Sequence, residues 1–140
     1  MEEDIFLHTD KFSPCYRHKV IVKIAPMGKP RMTQHDRWKK RPAVLRYHAF
    51  KDSLRVQLAC HSFERATVLS WTAYISMPKS WSKKKKAELQ GKPHLQKPDR
   101  DNIDKAIMDA ILKEDKSIYF GTICKLWDDG KGERIELSWG

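Results

Sequence analysis

The sequence contains no long apolar run: nowhere in its 140 residues are there about 18 consecutive apolar residues, the length that a membrane-spanning helix needs. Its first residues, MEEDIFLHTDKF, are acidic and lack the basic-then-apolar order of a signal peptide. We therefore expect a cytoplasmic protein. The length suits one domain, residues 1–140, around one hydrophobic core, and residues 1–17 are expected to form a loosely ordered arm.

Cysteine is scarce, and its spacing excludes two common kinds of site. Cys15, Cys60 and Cys124 are odd in number and far apart, which argues against a disulfide framework and against a Cys-x-x-Cys metal site. The six histidines are dispersed, and none lies at ligand spacing from a cysteine, so a zinc site is not expected. We expect reduced, structural cysteines.

Acidic residues are outnumbered, at 18 Asp and Glu against 28 Lys and Arg, for a net charge of +10. Such an excess on a small domain suggests a polyanionic partner, and nucleic acid is the leading candidate. An anionic membrane is less favoured because no basic helix has a broad apolar face. A basic surface that serves solubility alone is the remaining interpretation.

The hydrophobic pattern predicts an α+β domain of order β-α-β-(α)-α-β-β: a mixed four-stranded sheet with two main helices on one face. Strands are predicted at 19–26, 66–78, 117–129 and 132–139, and helices at 44–60, 80–89 and 101–113. The last two strands flank a turn at Gly130 and Gly132. The first helix is expected to bury Leu45, Ala49, Val56 and Cys60, widened by Phe50, Leu54 and Leu58. The last is expected to bury Ile103, Ala106, Ile107, Ala110 and Ile111.

Most of the chemistry lies in KPDRDNIDKAIMDAILKEDKS, residues 97–117, where acids gather within a basic chain. A cap at the start of the last helix would explain Asp101 alone. A hard divalent cation explains more, because Asp99 and Asp101 can share one ion and Asp115 can complete its ligands. An EF-hand loop fails, since the required glycine and glutamate are absent. Lys105 is either an i,i+4 partner of Asp101 or a group that stabilises charge on a phosphate.

This segment resembles the signature of the RusA family of Holliday junction resolvases. The matching positions are Lys97, Pro98, Asp99, Asp101, Asn102, Ile103, Lys105, Asp109, Ala110 and Ile111, then Glu114, Asp115 and Ile118. PMGKPRMT, WKKRP and MPKSWSKKKK upstream also resemble phage-borne members, so the resemblance covers roughly residues 20 to 138. It departs from the family in having Glu114 as the first acid of the second pair and a short segment before that pair.

The resemblance implies a homodimeric, Mg²⁺-dependent endonuclease, with Mn²⁺ as a substitute, that cuts four-way DNA junctions with paired nicks in recombination and repair. By position, Asp99, Asp101 and Asp115 would bind the metal and Lys105 would be the catalytic lysine. Basic residues would grip DNA phosphates, namely Lys29, Arg31, Arg37, Lys39, Lys40, Arg41, Lys83, Lys84, Lys85 and Lys86. Trp38 would stack on a base or fold onto the core.

Two other functions stay open at this point. A non-catalytic basic module that binds branched DNA would leave the aspartates as caps and surface charge. A metal-dependent transferase acting on a phosphorylated small molecule is disfavoured by the basic excess. Dependence on Mg²⁺ separates the nuclease from the binding module.

Overall fold

A computed structural model describes residues 15–33, 41–114 and 116–140 of the chain. These residues form four strands and three helices. In chain order they are β1 (His18–Val22), α1 (Pro42–Gln57), β2 (Leu69–Ile75), α2 (Lys83–Leu89), α3 (Arg100–Ile111), β3 (Ile123–Trp127) and β4 (Arg134–Trp139). The predicted α+β class and the element order are confirmed. None of the helices in these ranges is long and apolar enough to cross a membrane.

The four strands form one mixed sheet in the order β1-β4-β2-β3. β4 is antiparallel to both β1 and β2, and β2 is parallel to β3. Gly130 and Gly132 do form the expected turn, with φ of 94° and 98°. The two strands that flank it are not partners, however, because β2 lies between them. β4 lies inside the sheet, between β1 and β2, and its alternate residues Ile135 and Leu137 are fully buried.

The helices cover one face of the sheet. β2 contributes Trp71 and Ala73 to this face, and both are buried. α3 packs against it through Ile103, Ala106, Ile107 and Ala110, so the predicted buried side of this helix is confirmed. The 3.6-residue period of these positions places all four on one side of the helix.

The first helix buries only part of the predicted side: Phe50, Leu54 and Leu58 are buried as predicted, whereas the four other predicted core positions are exposed. α1 begins two residues earlier, with Pro42 at its start, and ends at Gln57. Its buried residues are Val44, Tyr47, Phe50 and Leu54. The predicted core positions Leu45 and Val56 are 52% and 75% exposed, and Ala49 and Cys60 are exposed as well. Apolar residues occur on two sides of α1. The side that carries Tyr47 packs into the hydrophobic core, where the Tyr47 hydroxyl stays hydrogen-bonded by donating to Asp109 on α3.

All three cysteines are free thiols on the surface. Cys124 lies in a strand, as expected, but on the sheet face that the helices leave uncovered. Cys60 lies beyond the end of α1. The expected place of Cys60 on the buried side of the first helix is wrong, because this thiol is exposed.

Candidate active site

The segment before α3 lies beside β3. Lys125, the middle residue of β3, donates a hydrogen bond of 2.8 Å to the carbonyl oxygen of Pro98, and it also contacts the carbonyl oxygen of Gln96. Two residues after Pro98, α3 begins. Lys125 thus holds the segment that presents Asp99. The sequence offered a signal for it, a lysine inside the apolar strand ICKLW, which the motif analysis did not use.

Asp99 occupies the cap position of α3, but its carboxylate makes no capping hydrogen bond. Its carbonyl oxygen, rather than its side chain, accepts from the N–H groups of Asn102 and Ile103, at 3.1 Å each. Asp101 is two residues further along the chain, in the first turn of α3. Capping by Asp101 is therefore not what the structure shows. The exposed carboxylate of Asp99 remains available to a ligand.

Lys105 lies one helical turn after Asp101, and its Nζ is 3.8 Å from Asp101 Oδ2. Both side chains are largely exposed, at 61% and 70%. An ion pair this open stabilises a helix by only about 0.3–0.5 kcal/mol. The weak pairing leaves the ammonium group beside Asp101 with donors to spare for an anion.

Two other acids of α3 have structural partners instead. Asp104 accepts a hydrogen bond of 2.8 Å from the indole N–H of Trp71. Asp109 Oδ2 accepts from the Tyr47 hydroxyl at 2.6 Å and pairs with Lys29 Nζ at 2.8 Å. Burial alone would raise the pKa of Asp109, but the hydrogen bonds from Lys29 and Tyr47 outweigh it and hold that pKa below its usual value. Asp104 and Asp109 therefore have structural hydrogen-bond partners, whereas Asp99 and Asp101 have exposed side chains.

The residues after α3 lie at its other end. Glu114 pairs with Lys116 at 2.9 Å, and both line a cavity of about 670 Å³ with Phe63 and Ile111. The 12 residues of α3 separate its ends by about 18 Å, so Glu114 is remote from Asp99. Asp115 lies outside the described residues. Within residues 15–33, 41–114 and 116–140, no group of three or more His, Cys, Asp or Glu side chains lies close enough to hold a metal ion.

The two exposed acids at the start of α3 are of a kind that suits a hard cation. Asp99 and Asp101 offer carboxylate oxygens at an exposed edge, and Mg²⁺ is commonly held by one or two carboxylates with water and a substrate phosphate. Neither acid is committed to a strong structural hydrogen bond within the described part of the chain. The residues present therefore fit such an ion.

A groove of about 500 Å³ runs past Asp99. Its two walls are the basic loop, which we define as residues 27–33, and the segment that leads into α3. The lining residues are Gly28, Lys29, Pro30, Arg31, Lys97, Pro98, Asp99 and Asn102. Arg31 and Lys97 are exposed at its rim. The groove thus combines one open carboxylate with positive charge on both walls.

The lysines of α2 lie at the same end of the sheet. Lys83 to Lys86 begin α2, and Ser82 caps it by accepting from the N–H of Lys85 at 3.2 Å. An aromatic stack fixes α2 there: Lys85 Nζ lies 4.0 Å from the ring centre of Trp81, and Trp81 packs on Trp127, the last residue of β3. The structure thus places these lysines near the groove end of the sheet.

The other predicted DNA contacts are placed in part. The Arg41 guanidinium donates to the carbonyl oxygen of Arg31 at 2.7 Å, which ties the basic loop to the start of α1. Arg37, Lys39 and Lys40 lie outside the described residues, as does Trp38. Trp71, Trp127 and Trp139 are buried in their strands.

His94 packs on the same pair of aromatic side chains, Trp81 and Trp127, through Trp127. The sequence analysis did not single it out. Its ring lies 4.2 Å from that of Trp127, and burial, reinforced by the charge of Lys125, lowers its pKa. The imidazole is therefore neutral near pH 7. Its buried Nδ1 has no hydrogen-bond partner in the described ranges.

Comparison with known proteins agrees with the geometry. No curated protein matches the chain. The family model described as Endodeoxyribonuclease RusA matches residues 22–138, which include both walls of the groove, α2 and all of α3. The match favours a nuclease over a non-catalytic binding module. The chain belongs to the RusA family of endodeoxyribonucleases, which cleave Holliday junctions.

Proposed function

We propose that the chain resolves four-way DNA junctions in a Mg²⁺-dependent reaction, with Asp99 and Asp101 as metal ligands and Lys105 as the catalytic lysine. Asp115, which lies outside the described residues, stays a prediction as the third ligand, and the distance between its neighbour Glu114 and Asp99 weighs against it. The observation that carries the proposal is the division of the α3 acids. Asp104 and Asp109 are held by Trp71, Tyr47 and Lys29. In contrast, Asp99 is exposed in the groove, and Asp101 is exposed in the first turn of α3.

The residues of the groove and of the start of α3 have distinct roles in this proposal. A bound divalent ion would polarise a phosphoryl oxygen and lower the pKa of a water molecule. Asp99 and Asp101 supply its carboxylate ligands and keep negative charge local. Lys105 stabilises the charge that develops on the phosphate. Arg31 and Lys97, on opposite walls, hold the backbone on either side of the scissile bond.

The wider basic surface recruits DNA. The lysines of α2 lie at the groove end of the sheet, and phosphate neutralisation by such groups supplies sequence-independent affinity. We propose that two copies form a homodimer, because a two-fold axis matches a pseudo-symmetric junction and allows paired symmetric nicks. Mn²⁺ is proposed as a substitute for Mg²⁺, since both suit oxygen ligands.

The test uses a synthetic four-way junction and a linear duplex of equal length. Wild type is expected to make symmetric nicks in the junction only, and only with Mg²⁺. Asp101→Asn should bind the junction but cleave it at least about 100-fold more slowly. Asp115→Asn, assayed separately, tests the predicted third ligand: an equal loss would place Asp115 in the site, and normal cleavage would remove it.

Asp52→Asn is the matched control, because Asp52 is 75% exposed on α1 with only a loose partner in Arg55. It should cleave like wild type. Tight junction binding without cleavage under any divalent metal would overturn the nuclease, and normal cleavage by Asp101→Asn would overturn the site.

A further inference from the structure

Asp109 lies two helical turns beyond the proposed catalytic acids, yet it contacts the basic loop. One oxygen, Oδ2, accepts from Lys29 Nζ at 2.8 Å and from the Tyr47 hydroxyl at 2.6 Å. Tyr47 is 1% exposed in α1. The carboxylate therefore joins the basic loop, α1 and α3 at a single atom. Both bonds are charge-assisted, the stronger class of protein hydrogen bond.

α1 also holds the end of α3 that carries Asp109. The Arg55 guanidinium donates to the carbonyl oxygens of Ala110 and Asp109, at 2.8 and 3.1 Å. These carbonyls belong to the last turn of α3, where helical partners run out. Asp109 is thus fixed from both its backbone and its side chain.

The backbone of the basic loop follows α3 closely. The N–H of Lys29 donates to the carbonyl oxygen of Asn102 at 2.9 Å. Gly28 comes so near that a Cβ there would lie 2.8 Å from the Pro98 Cβ and 3.3 Å from the Asn102 Cβ. The loop is therefore seated on the start of α3, and the Lys29 side chain extends from that seat to Asp109.

We propose that Asp109 is a positioning residue that acts through Lys29 to hold the basic loop, and with it Arg31, against Asp99. Lys29 is then an anchor of the loop and not a DNA phosphate contact. The inference rests on the proposed function for its effect on cleavage. The competing arrangement is that Lys29 gives its charge to DNA and Asp109 is only its resting counter-ion.

The test compares Lys29→Met, Asp109→Asn and the double variant. Cleavage is measured in single turnovers at saturating junction, and junction affinity is measured at several salt concentrations. Each single variant is expected to slow cleavage about 10-fold or more, because misplacing a substrate-positioning group has effects of this size. The double variant should be no slower than the worse single variant, since both remove one contact.

Affinity separates an anchor from a phosphate contact. The anchor predicts that Lys29→Met changes the junction Kd less than about threefold and leaves its salt dependence unchanged. A phosphate contact predicts that the slope of log K against log salt falls by about 0.9, and that Asp109→Asn binds DNA more tightly. That pair of results would overturn the proposal, as would unchanged cleavage rates.

Two further variants sharpen the comparison. Lys29→Arg keeps a cation within reach of Asp109 and should retain most of the cleavage rate. Lys19→Met removes one positive charge from an exposed position on β1 and should leave the rate unchanged. A loss of rate in Lys19→Met equal to that in Lys29→Met would mean that charge alone is responsible, and the anchor would be wrong.

A readout without DNA distinguishes this proposal from the proposed function. The Lys29 amide is bonded to Asn102, so its hydrogen exchange reports how firmly the loop is seated. Asp109→Asn should speed that exchange about 10-fold, while exchange within β4 stays unchanged. If wild type cleaves no junction, the proposed function fails but this result still decides the anchor. Unchanged exchange at Lys29 would overturn it.

Discussion

Replacing Tyr47 with phenylalanine removes one hydroxyl and little else. That hydroxyl is buried, donates to Asp109 at 2.6 Å, and joins α1 to α3. A hydrogen bond to a charged group contributes about 1.5–3 kcal/mol, and the partial exposure of Asp109 favours the lower end. We expect Tyr47→Phe to lower the free energy of unfolding by about 1.5 kcal/mol, or the melting temperature by about 5 °C for a domain of this size.

The pH dependence follows from the carboxylate. The pKa of Asp109 lies below its ordinary value of 3.8, so its charged form is favoured by folding. The contribution is present in full above pH 3.8 and is lost as the pH falls through the lowered pKa. The stability gap between wild type and Tyr47→Phe should therefore be widest near pH 7 and should narrow in strong acid.

Urea unfolding at several pH values provides the assay, with Tyr119→Phe as the matched control. Tyr119 is 67% exposed, so losing its hydroxyl should change stability by less than about 0.5 kcal/mol. Equal stability of Tyr47→Phe and wild type at pH 7 would refute the reasoning, and so would a gap that widens on acidification.

Two other substitutions test the groove and the turn after β3. Gly28→Ala should lower the free energy of unfolding by about 1–3 kcal/mol through overpacking against Pro98. The displaced basic loop should also slow single-turnover cleavage. Wild-type stability together with a wild-type cleavage rate would show that the close approach of Gly28 to Pro98 does not matter. Asp129→Asn should lower the urea midpoint at pH 7, because the hydrogen bonds from Arg134 hold the pKa of Asp129 at about 2. That difference should vanish as the pH falls through about 2, and a difference that persists in stronger acid would contradict the assignment.

The elements with a single apolar side were predictable from the sequence. In α3 the apolar residues repeat on one side only. Both ends of the helix were predicted to within two residues, and its four buried residues were all among those predicted. In α1 apolar residues lie on two sides, and local periodicity does not choose between them. The choice depends on contacts with residues that are distant in the sequence, among them Asp109, which accepts from Tyr47.

Strand pairing was less predictable than strand existence. The pattern located all four strands, but it did not show that β4 pairs with β1 and β2 and not with β3. A turn with two glycines is compatible with a hairpin and with a crossover. The outcome depends on which strand has hydrogen-bonded neighbours along both of its edges. That is a property of the assembled sheet.

The candidate site, too, was predictable from the sequence only in part. The motif identified Asp99, Asp101 and Lys105, and the structure brings Asp101 and Lys105 to 3.8 Å. Motif spacing did not show that Asp109 and Asp104 have structural partners, because those partners come from α1, β2 and the basic loop. Lys125 and His94 support the site through strand and loop contacts that no local pattern encodes.

The central claim is that Asp101 is a ligand of the catalytic metal, and changing the ligand chemistry tests it most directly. Asp101→Cys replaces a hard oxygen with a softer sulfur, which favours Mn²⁺ or Cd²⁺ over Mg²⁺. Asp52→Cys adds the same thiol at an exposed site away from the groove. The account predicts that Asp101→Cys cleaves the junction poorly with Mg²⁺ and regains activity with the softer metals, while Asp52→Cys keeps the wild-type metal preference. Full Mg²⁺-dependent cleavage by Asp101→Cys would contradict it.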